Sequence, residues 1–300
     1  ALDSSLIPSR IAWQLGREMA WSARSTNTQS ADKSEAIILW ASDVVRDEGV
    51  MIAFGLDMLG LEPVWNSRGL VKGLKRQSFA EDSQRVRRDI VFTTSGLFRD
   101  LYGQQMVLLN RATLMALDAS TDTIRRDHPA LDLALATAIG ELGEEAVGGA
   151  ESLQTNQVAA HWVVQTRELM AQGTAGDKAG LLASLRVFGD APGSYGAGIN
   201  RLVERSGAWE KRDELALVYL RRLGHSYGGN GFGVPARDAF KQVLGNVENT
   251  YFGRSSNLYG LIDNNDAFDY LGGLNLAIET VTGKQPDSFV ISHANNKNLK

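Results

Sequence analysis

The sequence predicts an α/β protein: a small doubly wound parallel α/β unit, followed by helix-rich segments with a late strand. Three observations carry that expectation. Ala36-Ile37-Ile38-Leu39-Trp40-Ala41 is an unbroken apolar run, the pattern of a strand buried on both faces. Asp89-Ile90-Val91-Phe92-Thr93 is a second strand-sized segment of the same kind. Each leads into residues with helical spacing, and strands alternating with helices build a parallel sheet covered on its faces. The chain has 300 residues and 43% apolar content, enough for a real core and for two domains.

Taken in order, residues 8–23 read as a short helix, because Pro8 suits a first turn and Ile11, Leu15 and Met19 recur on one face. Ser25–Ser34 is polar and reads as a linker. After the strand Ala36–Ala41, a helix is expected from Asp43 to Gly60. Asp47 and Glu48 favour its first turn, Ile52, Leu56 and Leu59 share a face, and Gly60 with Pro63 stops it. Glu62–Trp65 reads as a second strand and Asp89–Thr93 as a third. Ser95 then caps a long helix with Leu97, Leu101, Leu108 and Met115 on its stripe. The ligand edge of such a unit lies at the carboxyl ends of its strands, near Ala41-Ser42-Asp43 and Thr93–Gly96. Beyond it, Pro129–Ile139, Gln157–Ala171, Gly176–Leu185, Ala197–Glu204, Arg212–Leu223, Ala236–Leu244 and Asp266–Val281 read as helices. Ser288–Ser292 reads as a final strand. The expected organisation is therefore a helical lead and linker (1–33), the doubly wound unit (34–125), and a helix-rich region with Gly-rich loops and a C-terminal strand (126–300).

Composition excludes several classes. Lys+Arg 31 against Asp+Glu 35 gives a net charge of −4, which argues against a general nucleic-acid or anionic-membrane binder. With no cysteine, disulfides, thiolate zinc sites and cysteine nucleophiles are ruled out. No apolar run approaches the roughly 20 residues that span a bilayer. The first residues lack the features of a signal peptide, so a cytoplasmic location is expected, and a start at Ala rather than Met reads as a piece of a longer chain. Among motifs, G-x-x-x-x-G-K-[ST], G-x-S-x-G and H-E-x-x-H are all missing. Gly193-Ser194-Tyr195-Gly196-Ala197-Gly198 leads into a helix, so its N–H groups could hold an anion, but it follows no clear strand with Rossmann spacing and ordinary turn geometry is the favoured reading. His128, His161, His225 and His293 are not paired at ligand spacing. Asp263, Asp266 and Asp269 form a spaced acidic triplet. It reads either as helix-start capping or as a carboxylate face that takes protons or a hard divalent ion; the EF-hand template does not fit it.

Four blocks, in order, resemble the large subunit of cobaltochelatase and its relative, the H subunit of magnesium chelatase. They are Leu39-Trp40-Ala41-Ser42-Asp43 running to Arg46-Asp47-Glu48-Gly49; Thr94–Leu101; Arg186–Gly189 through Gly193–Asn200 to Gly207-Ala208-Trp209; and Arg254–Tyr259 through Asp263–Gly273. The resemblance implies a fragment of a much longer tetrapyrrole-binding subunit. Such a subunit works with an AAA+ ATPase and a partner carrying a metal-ion-dependent adhesion-type domain, and inserts cobalt into a corrin ring in cobalamin biosynthesis. Cobalt or magnesium would be a substrate, no cofactor would be tightly bound, and ATP would be handled by the partner subunit. The family's upstream His-Phe-Gly-Thr-His-Gly-type motif is absent, so the piece alone is expected to be inactive. By the same resemblance Glu204 and Asp266 carry catalysis. Ser95, Arg99, Tyr195 and Asn200 contact the tetrapyrrole, and Asp263 and Asp269 contact the metal. Asp266 stands where the magnesium enzymes have His, which favours the cobalt branch. The alternatives are a fragment of the magnesium enzyme's large subunit acting on porphyrin, or a non-catalytic module that docks subunits; a free nucleotide-binding α/β protein is weakened by the missing phosphate loop.

Overall fold

A computed structural model describes residues 7–26, 32–78, 85–205, 207, 209–229, 231–255 and 265–292. Its centre is a mixed sheet ordered β7-β6-β5-β4-β1-β8-β9. These strands are β1 (Ser34–Leu39), β4 (Ile90–Thr94), β5 (Val187–Gly189), β6 (His225–Gly228), β7 (Gly231–Pro235), β8 (Val247–Arg254) and β9 (Asp287–Ser292). β5, β4, β1, β8 and β9 run parallel, and the β6–β7 hairpin extends one edge antiparallel. All six residues of β1 are buried, the polar Ser34 and Glu35 together with the apolar Ala36–Leu39. Its side chains alternate between two cores. Ile37 and Leu39 join one, with Phe54, Phe92 and Met106; Ala36 and Ile38 join the other, with Phe188, Tyr219 and Phe240.

The helices are α1 (Arg10–Thr26), α2 (Ala41–Asp47), α3 (Val50–Met58), α4 (Gly96–Asp118), α5 (Thr121–Asp127), α6 (Asp132–Ile139), α7 (Gln157–Ala171), α8 (Gly176–Ser184), α9 (Ile199–Val203), α10 (Arg212–Leu223), α11 (Arg237–Leu244) and α12 (Gly273–Thr282). The parallel pairing of β1 with β4, and the helix capped by Ser95 after β4, match the sequence expectation.

Several elements differ from it. The helix expected from Asp43 to Gly60 is two helices. Glu48 (φ 57°) and Gly49 (φ 96°) both turn left-handed, and Asp47 Oδ1 accepts the N–H groups of Gly49 and Val50 at 2.9 and 3.2 Å, starting the second helix. All nine residues of α3 are buried, so no single face could mark it. Leu61–Trp65 (β2) stays out of the central sheet and pairs antiparallel with β3 (Val71–Arg76); Pro63 donates no ladder hydrogen bond and suits such a two-stranded ribbon. On α4 the buried line runs through Phe98, Tyr102, Met106 and Leu109, while Leu97 and Leu101 are exposed. The helix expected over Asp266–Val281 begins with a π-helical turn, Ala267–Gly272. The central sheet also continues past residue 125, through β5 to β9. Of these strands only β9 is plain in the sequence, because β5 has three residues and β6–β7 lie in glycine-rich sequence.

At the amino end of the sheet, Asp89 accepts Arg186 Nε at 2.7 Å and Nη2 at 3.1 Å, and lies 2.8 Å from His161 Nδ1. Burial alone would raise the Asp89 carboxyl. The Arg186 guanidinium and the His161 contact overcome that and hold it at about 2. This network ties α7 to the starts of β4 and β5, and accounts for His161 as a structural residue.

Candidate functional site

From β1 the chain builds outward through β4 to β5, then returns to β1's other side with β8. In such sheets the crevice lies beyond the carboxyl ends of the strands, where the order reverses, here between β1 and β8. Trp40 and Asp43 follow β1 there, and Ser255 follows β8. The Trp40 ring stacks on Phe252 with centroids 5.3 Å apart, and its indole N–H reaches Asp43 Oδ2 at 2.8 Å. Asp43 Oδ1 accepts the Ser255 N–H at 3.0 Å and the Ser255 hydroxyl. Burial lifts the Asp43 carboxyl above its ordinary range, with the Asp47 charge adding to it against these hydrogen bonds. Gly253 leaves room for the arrangement, since a Cβ there would stand 2.9 Å from Asp43 Oδ2.

One strand over, Ser95 donates its N–H to the Leu39 carbonyl at 3.0 Å and caps α4 by accepting the Phe98 N–H at 3.2 Å. It is buried and serves the backbone. Asp190, directly after β5, accepts the Gly96 N–H at 2.9 Å and the Tyr270 hydroxyl at 3.2 Å on Oδ2, while its buried Oδ1 has no hydrogen-bond partner among the described residues. Burial pushes this carboxyl up to about 6, against the pull of Tyr270, Gly96, Arg222 and Arg99. Tyr270 is raised in turn by burial and by the Asp190 and Asp269 charges. Arg99 is 4% exposed. Its guanidinium donates to the carbonyls of Asp190 (3.3 Å), Ser194 (3.2 Å) and Ala191, pinning the glycine-rich loop to α4. The Tyr195 ring lies 5.5 Å from that guanidinium, its hydroxyl donates to Asp100 Oδ2 at 2.5 Å, and it is 56% exposed.

The N–H groups that follow this loop are already occupied. Asp269, on the π-helical turn, accepts Ile199 N–H (2.7 Å) and Asn200 N–H (3.1 Å) on Oδ1 and Gly198 N–H (3.3 Å) on Oδ2. The anion expected at this helix start is supplied by the chain itself. Asn200 also donates from Nδ2 to the Asn265 carbonyl at 2.9 Å. Asp266 is exposed, yet enough protein surrounds its carboxyl that lost hydration, with the Asp269 charge behind it, raises it. Glu204 is exposed and follows the carboxyl end of α9, whereas Asp269 holds its amino end; five residues of helix span about 7–8 Å. Asp263 lies outside the described residues. Among the described residues no three His, Asp or Glu side chains gather as a metal site.

The structure thus gathers Ser95, Arg99, Tyr195, Asn200, Asp266 and Asp269 along one edge of the sheet. It adds three residues that sequence reasoning did not single out: Asp43, Asp190 and Tyr270. Asp43 lay on the expected ligand edge. Asp190 gave no signal, because the three-residue strand before it reads as loop.

Comparison with known proteins agrees with this geometry. The family model described as CobN/Magnesium Chelatase matches residues 1–300. An uncharacterised protein of Methanocaldococcus jannaschii is 27% identical over 98% of this chain and 22% of its own length. The aerobic cobaltochelatase subunit CobN of Pseudomonas aeruginosa is 29% identical over 99% of this chain and 22% of its own length. The H subunit of magnesium chelatase from Cereibacter sphaeroides is 27% identical over 97% and 21% respectively. The chain therefore spans about a fifth of the length of the curated relatives it matches. The solved catalytic subunit of cobaltochelatase from Mycobacterium tuberculosis shares the fold, with a TM-score of 0.80 over all of this chain and 22% of that one, at 24% identity. No helix among the described residues is long and apolar enough to cross a membrane. With a family model matched from its first residue to its last, the chain belongs to the CobN/magnesium chelatase family.

Proposed function

We propose that this chain is a segment of the large tetrapyrrole-binding subunit of an ATP-dependent cobaltochelatase, and that its sheet edge forms one wall of the site where cobalt enters a corrin ring. One observation carries the reading: the four blocks of family resemblance, far apart in sequence, are bonded to one another at that edge. Leu39 binds Ser95, Gly96 binds Asp190, Asp43 binds Ser255, and Asp269 binds Gly198–Asn200. ATP would be hydrolysed by an AAA+ partner and transmitted with an adhesion-type-domain subunit, in the cytoplasm.

Metal insertion requires removal of two pyrrole protons and delivery of a dication. Asp266, with its raised carboxyl at the surface, is suited to accept a proton, and Glu204 at the far end of α9 offers a second acceptor. Asp263 and Asp269 are proposed to bias the approach of the cation; Asp269 acts through its charge while its oxygens hold α9. Tyr195, the exposed ring of the loop, offers a face to the macrocycle, with Arg99, Ser95 and Asn200 fixing the loop behind it. In the full-length subunit assayed with its partners, cobalt and ATP, Asp266→Asn and Glu204→Gln should each lower insertion at least about tenfold, with the circular dichroism spectrum unchanged. Unaltered turnover in both would remove the carboxylates from the reaction. Titration of hydrogenobyrinate diamide and protoporphyrin against tryptophan emission separates the cobalt reading from a magnesium one: tighter porphyrin binding favours the magnesium enzyme.

A further inference from the structure

The glycine-rich segment between β5 and α9 is an arch, and both of its feet are held by one helical turn. At the first foot, the buried Asp190 accepts the Tyr270 hydroxyl at 3.2 Å and the Gly96 N–H at 2.9 Å, both on Oδ2. At the second, the N–H groups of Gly198, Ile199 and Asn200 donate to Asp269. Asp269 and Tyr270 are consecutive residues of the π-helical turn Ala267–Gly272. Between the feet lies the exposed Tyr195, and the arch is steadied from its sides. Arg99 donates to the carbonyls of Asp190 and Ser194, and Arg222 Nη1 to Ser194 Oγ at 2.9 Å.

Consecutive side chains leave a helical turn about a quarter of a revolution apart. A single anchor lets a turn pivot about it; a second anchor, in another direction, removes that rotation. Single π-helical turns are rare and gather at functional sites. This one lies directly on α10, since a Cβ on Gly273 would stand 2.4 Å from Cδ2 of the buried Tyr219 ring. Asp266 immediately precedes the turn, and Asn200 Nδ2 reaches the Asn265 carbonyl beside it at 2.9 Å. The direction of Asp266 is therefore set by the same clamp that holds the arch. We propose that Tyr270 and Asp190 are positioning residues: their hydrogen bond stops the π-helical turn from rotating and keeps Asp266 in register with the arch that presents Tyr195. The role in metal insertion rests on the chelatase reading; the clamp itself rests on the geometry. The clamp uses only one oxygen of Asp190, because Oδ1 has no hydrogen-bond partner among the described residues. Asparagine can reproduce it and alanine cannot.

The test uses the full-length subunit, assayed with its partners, cobalt, ATP and hydrogenobyrinate diamide. Tyr270→Phe keeps the buried ring and removes only the hydroxyl. It should lower kcat about tenfold while changing the tetrapyrrole Kd, read from tryptophan emission, by less than about twofold. Asp190→Ala should lose kcat similarly, and Asp190→Asn should restore it to within about threefold of wild type. Tyr270→Phe combined with Asp190→Ala should be no slower than the slower single variant, because both remove one bond. Independently of activity, hydrogen exchange at the amides of Ala267–Gly272 should be at least about fivefold faster in Tyr270→Phe. A wild-type subunit that inserts no cobalt, together with that faster exchange, would sink the chelatase reading and uphold the clamp. Unchanged exchange would overturn the proposal, as would unchanged kcat in Tyr270→Phe beside an active wild type. So would Asp190→Asn as slow as Asp190→Ala, which would assign the effect to the charge of Asp190 rather than to the bond. A Kd that weakens in step with kcat would also overturn it, since the pair would then belong to the ligand's own contacts. Should Asp190→Ala fail to fold, Tyr270→Phe and Asp190→Asn decide between these outcomes alone.

Discussion

Two buried aspartates, Asp89 just before β4 and Asp190 just after β5, are driven in opposite directions. Asp89 faces Arg186 and His161 and stays charged; Asp190 has one oxygen without a partner among the described residues and is pushed up to about 6. A carboxyl raised in the folded state binds its proton more tightly there than in the unfolded chain, whose aspartates titrate near 3.9. Its contribution therefore turns unfavourable as pH climbs from about 4 through 6. Asp190→Asn cannot titrate. The stability of the wild type relative to this variant should fall by up to roughly 3 kcal/mol between pH 4 and 8, as measured by urea unfolding at each pH. A pH-independent difference would show that Asp190 carries no such burden. Neither aspartate's state is legible in the sequence: Asp89 shows there only as the first residue of a strand, and its partners Arg186 and His161 come from distant elements.

At the scale of elements, helix starts decide much of the local geometry. Ser95 announces its cap in the sequence, because Ser followed by an apolar helix is a local pattern. Asp269 does not, since the helix it caps lies some 70 positions earlier in the chain. The capping expected of the triplet was Asp263 and Asp266 at the start of their own helix; Asp269 instead accepts the N–H groups at the start of α9. Asp269→Ala should cost about 1–2 kcal/mol and speed hydrogen exchange at the amides of Gly198, Ile199 and Asn200. Unchanged protection at those three amides would mean that the loop holds itself. The π-helical turn bearing Asp269 and Tyr270 is equally hidden, because a widened turn leaves the apolar pattern of Ala267–Leu271 compatible with an ordinary helix.

For the whole molecule, the strand pair β1–β4 and the carboxyl-edge rule are legible, and they locate Asp43 and Ser95 correctly. The remainder of the sheet is not, because β5 is too short to show a period and β8 mixes Asn, Thr and Gly with its aromatics. β8 nonetheless decides the assembly. β1 receives β4 on one side early in the chain, but its other neighbour begins only at residue 247. During synthesis, a wholly buried strand with one bare hydrogen-bonding edge must therefore wait for most of this chain to leave the ribosome. A version ending at residue 245 should accumulate in the insoluble fraction while one carried through residue 292 remains soluble, as read by fractionation of an expressing culture. Equal solubility would show that β1 is sheltered without β8. The strand order that creates the crevice beside Trp40 thus also sets a vulnerable interval, in which the wall of the site and its protection from aggregation arrive with the same late segment.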